Sequence, residues 1–261
     1  TEQSTHHMSA ETKTAENTTT EKVISISSKL TIESLDSKVI ENKRILIRVD
    51  FKVPFVKGTT EISNPQRVEA ALPTIQYALD NGAQSVVLMS HLGRPKGNVV
   101  SSLSLKPVAT LLESLLKRPV IFLKDCCGKD VEETVSSNCE QGTVFLLENL
   151  RFHSMEEKKG ESANNTIITP SEESIEEFRS SLFSLGDVYI NDAFGTAHRA
   201  HTSMVGSKHE HRAAGLLMKK ELNYFSQALE NPQRPFLCIL GGSKVTDKIQ
   251  LINNLIKVAD E

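Results

Sequence analysis

Short runs of apolar residues, each cut off by a polar cluster, alternate along this chain with stretches whose apolar residues recur every three or four positions. The runs are Arg44–Asp50 (RILIRVD), Ser85–His91 (SVVLMSH), Val120–Asp125 (VIFLKD), Gly142–Leu150 (GTVFLLENL) and Asp187–Ala193 (DVYINDA). Continuous aliphatic runs of this length suit strands covered on both faces. Between them, Val68, Ala71, Leu72, Ile75 and Leu79 share one helical face, as do Val108, Leu111, Leu112 and Leu115. Thr169-Pro170-Ser171-Glu172 reads as a capping box with Pro at the first helical position. It opens a helix with Ile175, Phe178, Leu182 and Leu185 inward, which Gly186 ends. This alternation predicts an α/β fold, a Rossmann-like parallel sheet with helices on both faces. Every segment that leaves a strand then reaches one edge of the sheet, where open α/β proteins bind ligands.

Further along, Leu216–Glu230 (LLMKKELNYFSQALE) reads as a helix stopped by Asn231-Pro232. Phe236–Leu240 (FLCIL) reads as a buried strand, Gly241-Gly242-Ser243 as a tight turn, and Val245–Ala259 as a helix with Val245, Ile249, Ile252 and Ile256 inward. One strand and one helix cannot close a core, so this stretch is expected to begin a second, incomplete α/β lobe. The expected organisation is a disordered Ser/Thr/Glu-rich extension over 1–28, a ligand-binding lobe over 29–215, a hinge helix over 216–232 and the start of a truncated lobe over 233–261.

Composition narrows the function. The chain has 261 residues, 38% hydrophobic and 24% charged, which suits one large domain or one domain and part of another. No apolar run approaches the roughly 18 residues of a membrane span, so no membrane role is expected. A net charge of -3 argues against a nucleic-acid binder driven by overall basicity, so any cationic site is local. Cys126, Cys127, Cys139 and Cys238 form no C-x-x-C pair and have no His at ligand spacing. They predict reduced thiols, no metal site and a cytoplasmic location.

The cations that follow the strands are Lys52, His91, Arg94, Arg151 and Arg199. Like charges converging on one cleft repel one another unless an anion lies between them, and Arg grips phosphate or carboxylate bidentately. Ser90-His91-Leu92-Gly93-Arg94-Pro95 is the sharpest such turn. Arg67 opens the helix after the first strand, where the helix dipole favours an anion. His198 and His201 lie in the last of these loops. A second candidate is Gly241-Gly242-Ser243-Lys244-Val245-Thr246-Asp247-Lys248, whose Gly pair and two lysines one helical turn apart could face phosphate. Neither a Walker A nor a G-x-G-x-x-G sequence occurs.

The stretches RVDFKVP (48–54), QRVEAALPTI (66–75), VVLMSHLGRP (86–95), LKDCCG (123–128), LLENLRFH (146–153) and LGDVYINDAFGTAHRAHTSMVG (185–206), with 217–258, resemble phosphoglycerate kinase. The resemblance implies two Rossmann-like lobes and transfer of the acyl phosphate of 1,3-bisphosphoglycerate to ADP, giving 3-phosphoglycerate and ATP with Mg2+. It implies that Asp50, Arg67, His91, Arg94, Arg151 and Arg199 line the phosphoglycerate site of the 29–215 lobe. Gly241, Gly242, Lys244 and Lys248 would then face the nucleotide, and Arg67 and Lys248 would clamp the moving phosphoryl group once the lobes close.

Two departures stand out. Lys52 occupies a position where the family pattern has Asn, and it could strengthen anion binding or pair with Asp50 instead. The part of the family pattern that supplies the magnesium-binding Asp is missing, so this chain is expected to bind substrate weakly and turn over little. It is expected to be a monomer when completed, with self-association through the exposed second lobe otherwise. The alternative reading is a non-catalytic module that binds acidic metabolites or a protein partner.

Overall fold

The computed structural model describes residues 26–162, 164–241 and 249–261. Its strands are β1 (Arg44–Arg48), β2 (Ser85–Met89), β3 (Val120–Phe122), β4 (Thr143–Leu146), β5 (Gly160–Glu161), β6 (Ile167–Ile168), β7 (Val188–Asn191) and β8 (Arg212–Ala214). Helices α1 (Ser37–Ile40), α2 (Gln66–Glu69), α3 (Leu72–Asp80), α4 (Lys106–Leu116) and α5 (Lys129–Ser137) are followed by α6 (Ser154–Glu157), α7 (Glu172–Ser184), α8 (Thr202–Val205), α9 (Leu216–Leu229) and α10 (Ile249–Leu255). Six strands form a parallel sheet in the order β3-β4-β2-β1-β7-β8, and β5 and β6 make a separate antiparallel pair. This is the α/β architecture that the apolar runs predict.

Strand alternation divides the core. Ile45, Ile47, Val86, Leu88, Val144, Leu146, Val188 and Ile190 face one side, where α3 adds Ile75 and Ala78 and α4 adds Val108 and Leu112. Leu46, Val87, Met89, Phe145 and Tyr189 face the other, against Val131 and Val135 of α5 and Phe178 and Leu182 of α7. Each of these large aliphatic or Phe side chains contributes about 1.5–3 kcal/mol on burial. The registers Ile45↔Val86 and Ile45↔Val188 keep the layers level across the sheet.

Several local expectations are corrected. The 68–79 face is split between α2 and α3, because Pro73 has no N–H to continue a helix and instead opens a new one. Ser171, not Thr169, caps α7 by accepting from Ser174 N at 3.2 Å. β8 is an additional strand, too short and too poor in large apolar residues to stand out in the sequence. Ile26–Ser28 form a 3-10 turn whose Ile26 N donates to Glu230 Oε1 at 2.6 Å, while 1–25 lie outside the described residues.

Phe236–Leu240 is not a strand, and Leu237 and Ile239 are 59% and 86% exposed. A buried strand needs neighbours for its peptide groups. Among the described residues the only backbone links from Phe236–Leu240 run from Cys238 N to Glu261 O and to Phe236 O from the amides of Asp260 and Glu261. In α10, Ile249 is exposed, as is Ile256 just beyond the helix, rather than inward; Val245 lies outside the described residues.

α9 is tied to the sheet by Asp192 at the end of β7. Thr74 Oγ1 donates to Asp192 Oδ2 at 2.6 Å and accepts from Leu216 N at 2.9 Å, while Met218 N donates to Asp192 Oδ1 at 3.0 Å. A Cβ at Gly215 would lie 2.2 Å from Asp192 Oδ1, so only Gly allows this approach. Thr74→Val strips Asp192 of one donor and leaves Leu216 N–H unpaired. Urea denaturation should show a loss of about 1–3 kcal/mol for Thr74→Val and little for Thr74→Ser; equal stability of Thr74→Val and the parent would contradict this role.

Candidate anion-binding site

The parallel sheet delivers the segments after β1, β2, β4 and β7 to one edge, and backbone-binding side chains fix them there. Ser90 Oγ donates to Val49 O at 3.0 Å and accepts from Phe51 N at 2.9 Å, stitching the ends of β1 and β2. Asn149 Nδ2 donates to Leu92 O at 2.7 Å and to Leu103 O at 2.9 Å. Glu148 accepts from Leu105 N at 2.8 Å and Ser104 Oγ at 2.6 Å, holding the start of α4 against the loop after β4.

Beneath the edge lies a charged layer closed off from water. Arg48 and Glu156 are both fully buried. Arg48 Nε donates to Ser203 Oγ at 2.9 Å, Nη2 donates to His91 Nδ1 at 2.7 Å, and Nη1 bonds Val49 O. Ser203 donates to Glu156 from both N (2.9 Å) and Oγ (2.6 Å), and Arg48 Nη2 lies 4.0 Å from Glu156 Oε1. Burial pulls the Arg48 pKa down, and Glu156 is the largest of the charges that oppose this. Burial disfavours the Glu156 carboxylate, but its contacts with His201, Arg48 and Ser203 outweigh that and hold its pKa below the ordinary value.

Arginine can only donate, so His91 Nδ1 accepts and its proton sits on Nε2. Burial, then the charges of Arg48, Arg151 and Lys52, drive the His91 pKa far down, so the ring is neutral. His91 lies under the cluster, 1% exposed, with the His201 ring edge-on at 6.4 Å.

The outer cations fall into two groups. In the first, Asp50 Oδ2 accepts from Arg67 Nη1 at 2.7 Å, and Lys52 Nζ lies 3.5 Å from Asp50 Oδ1. Lys52 therefore pairs with Asp50. A Cβ at Gly195 would approach Asp50 Oδ2 to 2.9 Å, so Gly195 lets the loop after β7 close over this group. In the second, Arg151 Nη1 donates to Gly93 O at 2.7 Å and Nη2 pairs with Glu157 Oε1 at 3.0 Å, while its Nε is buried without a partner. Burial lowers the Arg151 pKa, and Glu157 opposes this while the Arg199 charge adds to it. Arg94, next to Gly93, and Arg199 are exposed, and neither guanidinium has a hydrogen bond or ion pair among the described residues.

A cavity of about 420 Å³ lies beside this second group, bounded by Lys96, Glu157, Arg199 and His201. A larger hollow of about 850 Å³ over α4 has Lys106 as its only lining cation and is remote in chemistry from an anion site.

Asp50, Lys52 and Arg67 are thus joined, Arg151 is set against the Gly93-Arg94 peptide and near Arg199, and His91 supports them from below. His201 is buried between Glu156 and Glu157, at 3.6 Å from each, and His198 is exposed. Gly241 is exposed, and Gly242, Lys244 and Lys248 lie outside the described residues. Sequence reasoning missed Arg48, Glu156, Glu157 and Ser203, although an Arg inside the apolar run RILIRVD is itself a signal of a buried, paired charge.

The phosphoglycerate kinase family model matches residues 35–261. The chain is similar to a phosphoglycerate kinase of Agaricus bisporus, 58% identical over 233 residues, which cover 89% of this chain and 55% of that protein. It is similar to phosphoglycerate kinase 1 of Homo sapiens, 56% identical over 239 residues, 91% of this chain and 56% of that one. The solved structure of phosphoglycerate kinase from Coxiella burnetii matches with a TM-score of 0.68 at 38% identity, covering 89% of this chain and 53% of that chain. The chain spans about half the length of the curated relatives it matches.

Two outcomes follow from the buried layer. Glu156→Ala leaves the Arg48 charge uncompensated and should cost about 3–5 kcal/mol in chemical denaturation; a change under about 1 kcal/mol would show that Arg48 is balanced elsewhere. His91 should keep the Nε2–H neutral form in 1H–15N NMR as the pH falls to about 5, whereas a free His titrates near 6.5. The unfolded state then binds the extra proton, so this group removes stability as pH drops below about 6.5. A His91 titration midpoint near 6.5 in the folded chain would contradict the assignment.

Proposed function

The chain belongs to the phosphoglycerate kinase family, and from that premise we propose that the C-terminal edge of its sheet binds 3-phosphoglycerate and 1,3-bisphosphoglycerate. The observation that carries the reading is the pair of cation groups over one buried, neutral His91. Arg94, Arg151 and Arg199 suit the phosphate end of the ligand, since among the described residues the guanidinium groups of Arg94 and Arg199 have no partner and Arg151 Nε has none. Asp50, Lys52 and Arg67 suit the carboxyl or acyl-phosphate end.

In phosphoryl transfer the charge spreads over the oxygens of the moving group, so positioning and electrostatic stabilisation dominate. Arg67 is suited to this role: Asp50 takes one N–H and orients the guanidinium, and the side chain is 54% exposed. Lys52 adds charge beside Asp50, which competes with the anionic ligand for its ammonium group. The ligand carries several negative charges, which favours its capture by a local cationic edge on a chain whose overall charge is -3.

The nucleotide side rests on the resemblance. Mg2+ with ADP or ATP would belong to Gly241, Gly242, Lys244 and Lys248, of which only Gly241 is among the described residues, and no magnesium donor set accompanies it there. In a protein that carries both halves, α9 would act as the hinge and Lys248 would meet Arg67 across the moving phosphoryl group. A glycolytic role and a cytoplasmic location go with this reading; no helix among the described residues is long and apolar enough to cross a membrane.

Titration calorimetry with 3-phosphoglycerate tests the proposal. Arg199→Ala, which removes no internal side-chain bond, should weaken binding by about 1.5–3 kcal/mol, with a loss that shrinks as salt rises. Lys38→Ala, on α1 at the opposite edge, should bind like the parent. Unchanged affinity in Arg199→Ala would remove the assignment. Absence of binding together with self-association through the exposed Leu237, Ile239 and Ile249 would favour the interaction module instead.

A further inference from the structure

The loop between β3 and α5 carries a second cluster that the anion site does not use. Asp125 Oδ1 lies 2.6 Å from His153 Nε2 and also accepts from Cys126 N at 2.6 Å. Cys127 Sγ lies 3.8 Å from the same Nε2. The side-chain donor atoms of Asp125, Cys126, Cys127 and His153 all fall within 4.8 Å of one another. The two sequence segments are 26 residues apart, so no spacing motif reveals the group. Cys126 is fully buried, whereas Cys127 is partly exposed.

We propose that Cys127 is a nucleophilic modification site, held as a thiolate by the Asp125–His153 pair and the neighbouring Cys126, and that it takes small soft electrophiles, hydroperoxides in particular. His153 sits between a carboxylate and a sulfur with its ring against Phe178 at 5.3 Å. Burial opposes its charging, but the Asp125 and Cys127 contacts prevail and raise its pKa to about 10. Hydrogen bonding from Cys126, aided by His153, outweighs burial and Asp125 repulsion and lowers the Cys127 pKa to about 6. Cys126 is pushed up by burial and remains a thiol. The groups that face Cys127 are Asp125 and Cys126 on its own loop and His153 from the segment after β4, with Glu156 behind Cys126; α7 offers the neutral Ser181 and Phe178.

With a hydroperoxide, the Cys127 sulfur attacks the terminal peroxide oxygen. A sulfur–oxygen bond forms as the O–O bond breaks, and its electron pair leaves on the departing alkoxide, which takes a proton from water. Sulfur is oxidised by two electrons to the sulfenic acid and the peroxide is reduced to the alcohol. Cys126 does not readily close the ring, because adjacent Cα atoms lie about 3.8 Å apart and disulfides favour about 4.4–6.8 Å. The sulfenic acid is therefore left for an external thiol.

The test is residue-resolved alkylation of the full chain with iodoacetamide, read by mass spectrometry across pH. Cys127 should label with a midpoint near pH 6. At about that pH it should react about tenfold faster than a thiol of ordinary pKa, the gain in thiolate being partly offset by weaker intrinsic nucleophilicity. His153→Gln should reduce that advantage and move the midpoint upward. Dimedone should trap Cys127 after treatment with tert-butyl hydroperoxide. A Cys127 midpoint near 8.5 in the parent chain would overturn the proposal whether or not His153→Gln folds, as would dimedone labelling confined to Cys139 or Cys238.

Discussion

Arg48 is a guanidinium with no access to water, and the C-terminal edge of the sheet is organised around that fact. An unpaired charge in such a place would cost several kcal/mol, so its surroundings have to supply an anion and acceptors. Glu156 does the first from α6, and Ser203, Val49 O and His91 Nδ1 do the second. Drawing Glu156 inward fixes α6, and α6 also carries Glu157, the partner of Arg151. The same demand sets the tautomer of His91. One buried charge thus links the end of β1, the end of β2, the segment after β4 and helix α8.

The anion site is what remains after these internal pairings are made. Asp50, Glu156 and Glu157 hold cations in place but are fewer than the cations that reach the edge. Among the described residues Arg94 and Arg199 have no carboxylate of their own, and Arg151 keeps one buried N–H unanswered. A surplus of oriented donors, fixed from beneath by a dry layer, would meet a multiply charged anion with little reorganisation. Lys52 shifts this balance by adding a second cation to Asp50.

The sheet was legible because β1, β2, β4 and β7 are buried on both faces and so read as unbroken apolar runs. β8 (Arg-Ala-Ala) has no such run and is placed by its neighbour β7. The run 236–240 has the same apolar character as the true strands but no neighbouring strand, which shows that the pattern reports the capacity to be buried and not burial itself. At the site, the exposed cations were legible from their position after strands. Glu156 and Ser203 were not, because a Glu and a Ser in four-residue helices look like surface residues until tertiary contacts enclose them. His153 was hidden for the same reason: only the fold brings it to Cys127.

The central claim is that a negatively charged metabolite is held by guanidinium groups from separate strand ends. The most direct measurement is NMR of the arginine Nε–H resonances during titration with 3-phosphoglycerate. The account predicts that Arg94, Arg151 and Arg199 shift together along one saturating curve, while Arg44, paired with Asp187 at the other end of β1, and Arg118 stay in place. Shifts confined to one of the three, or equal shifts at Arg44 and Arg118, would contradict it.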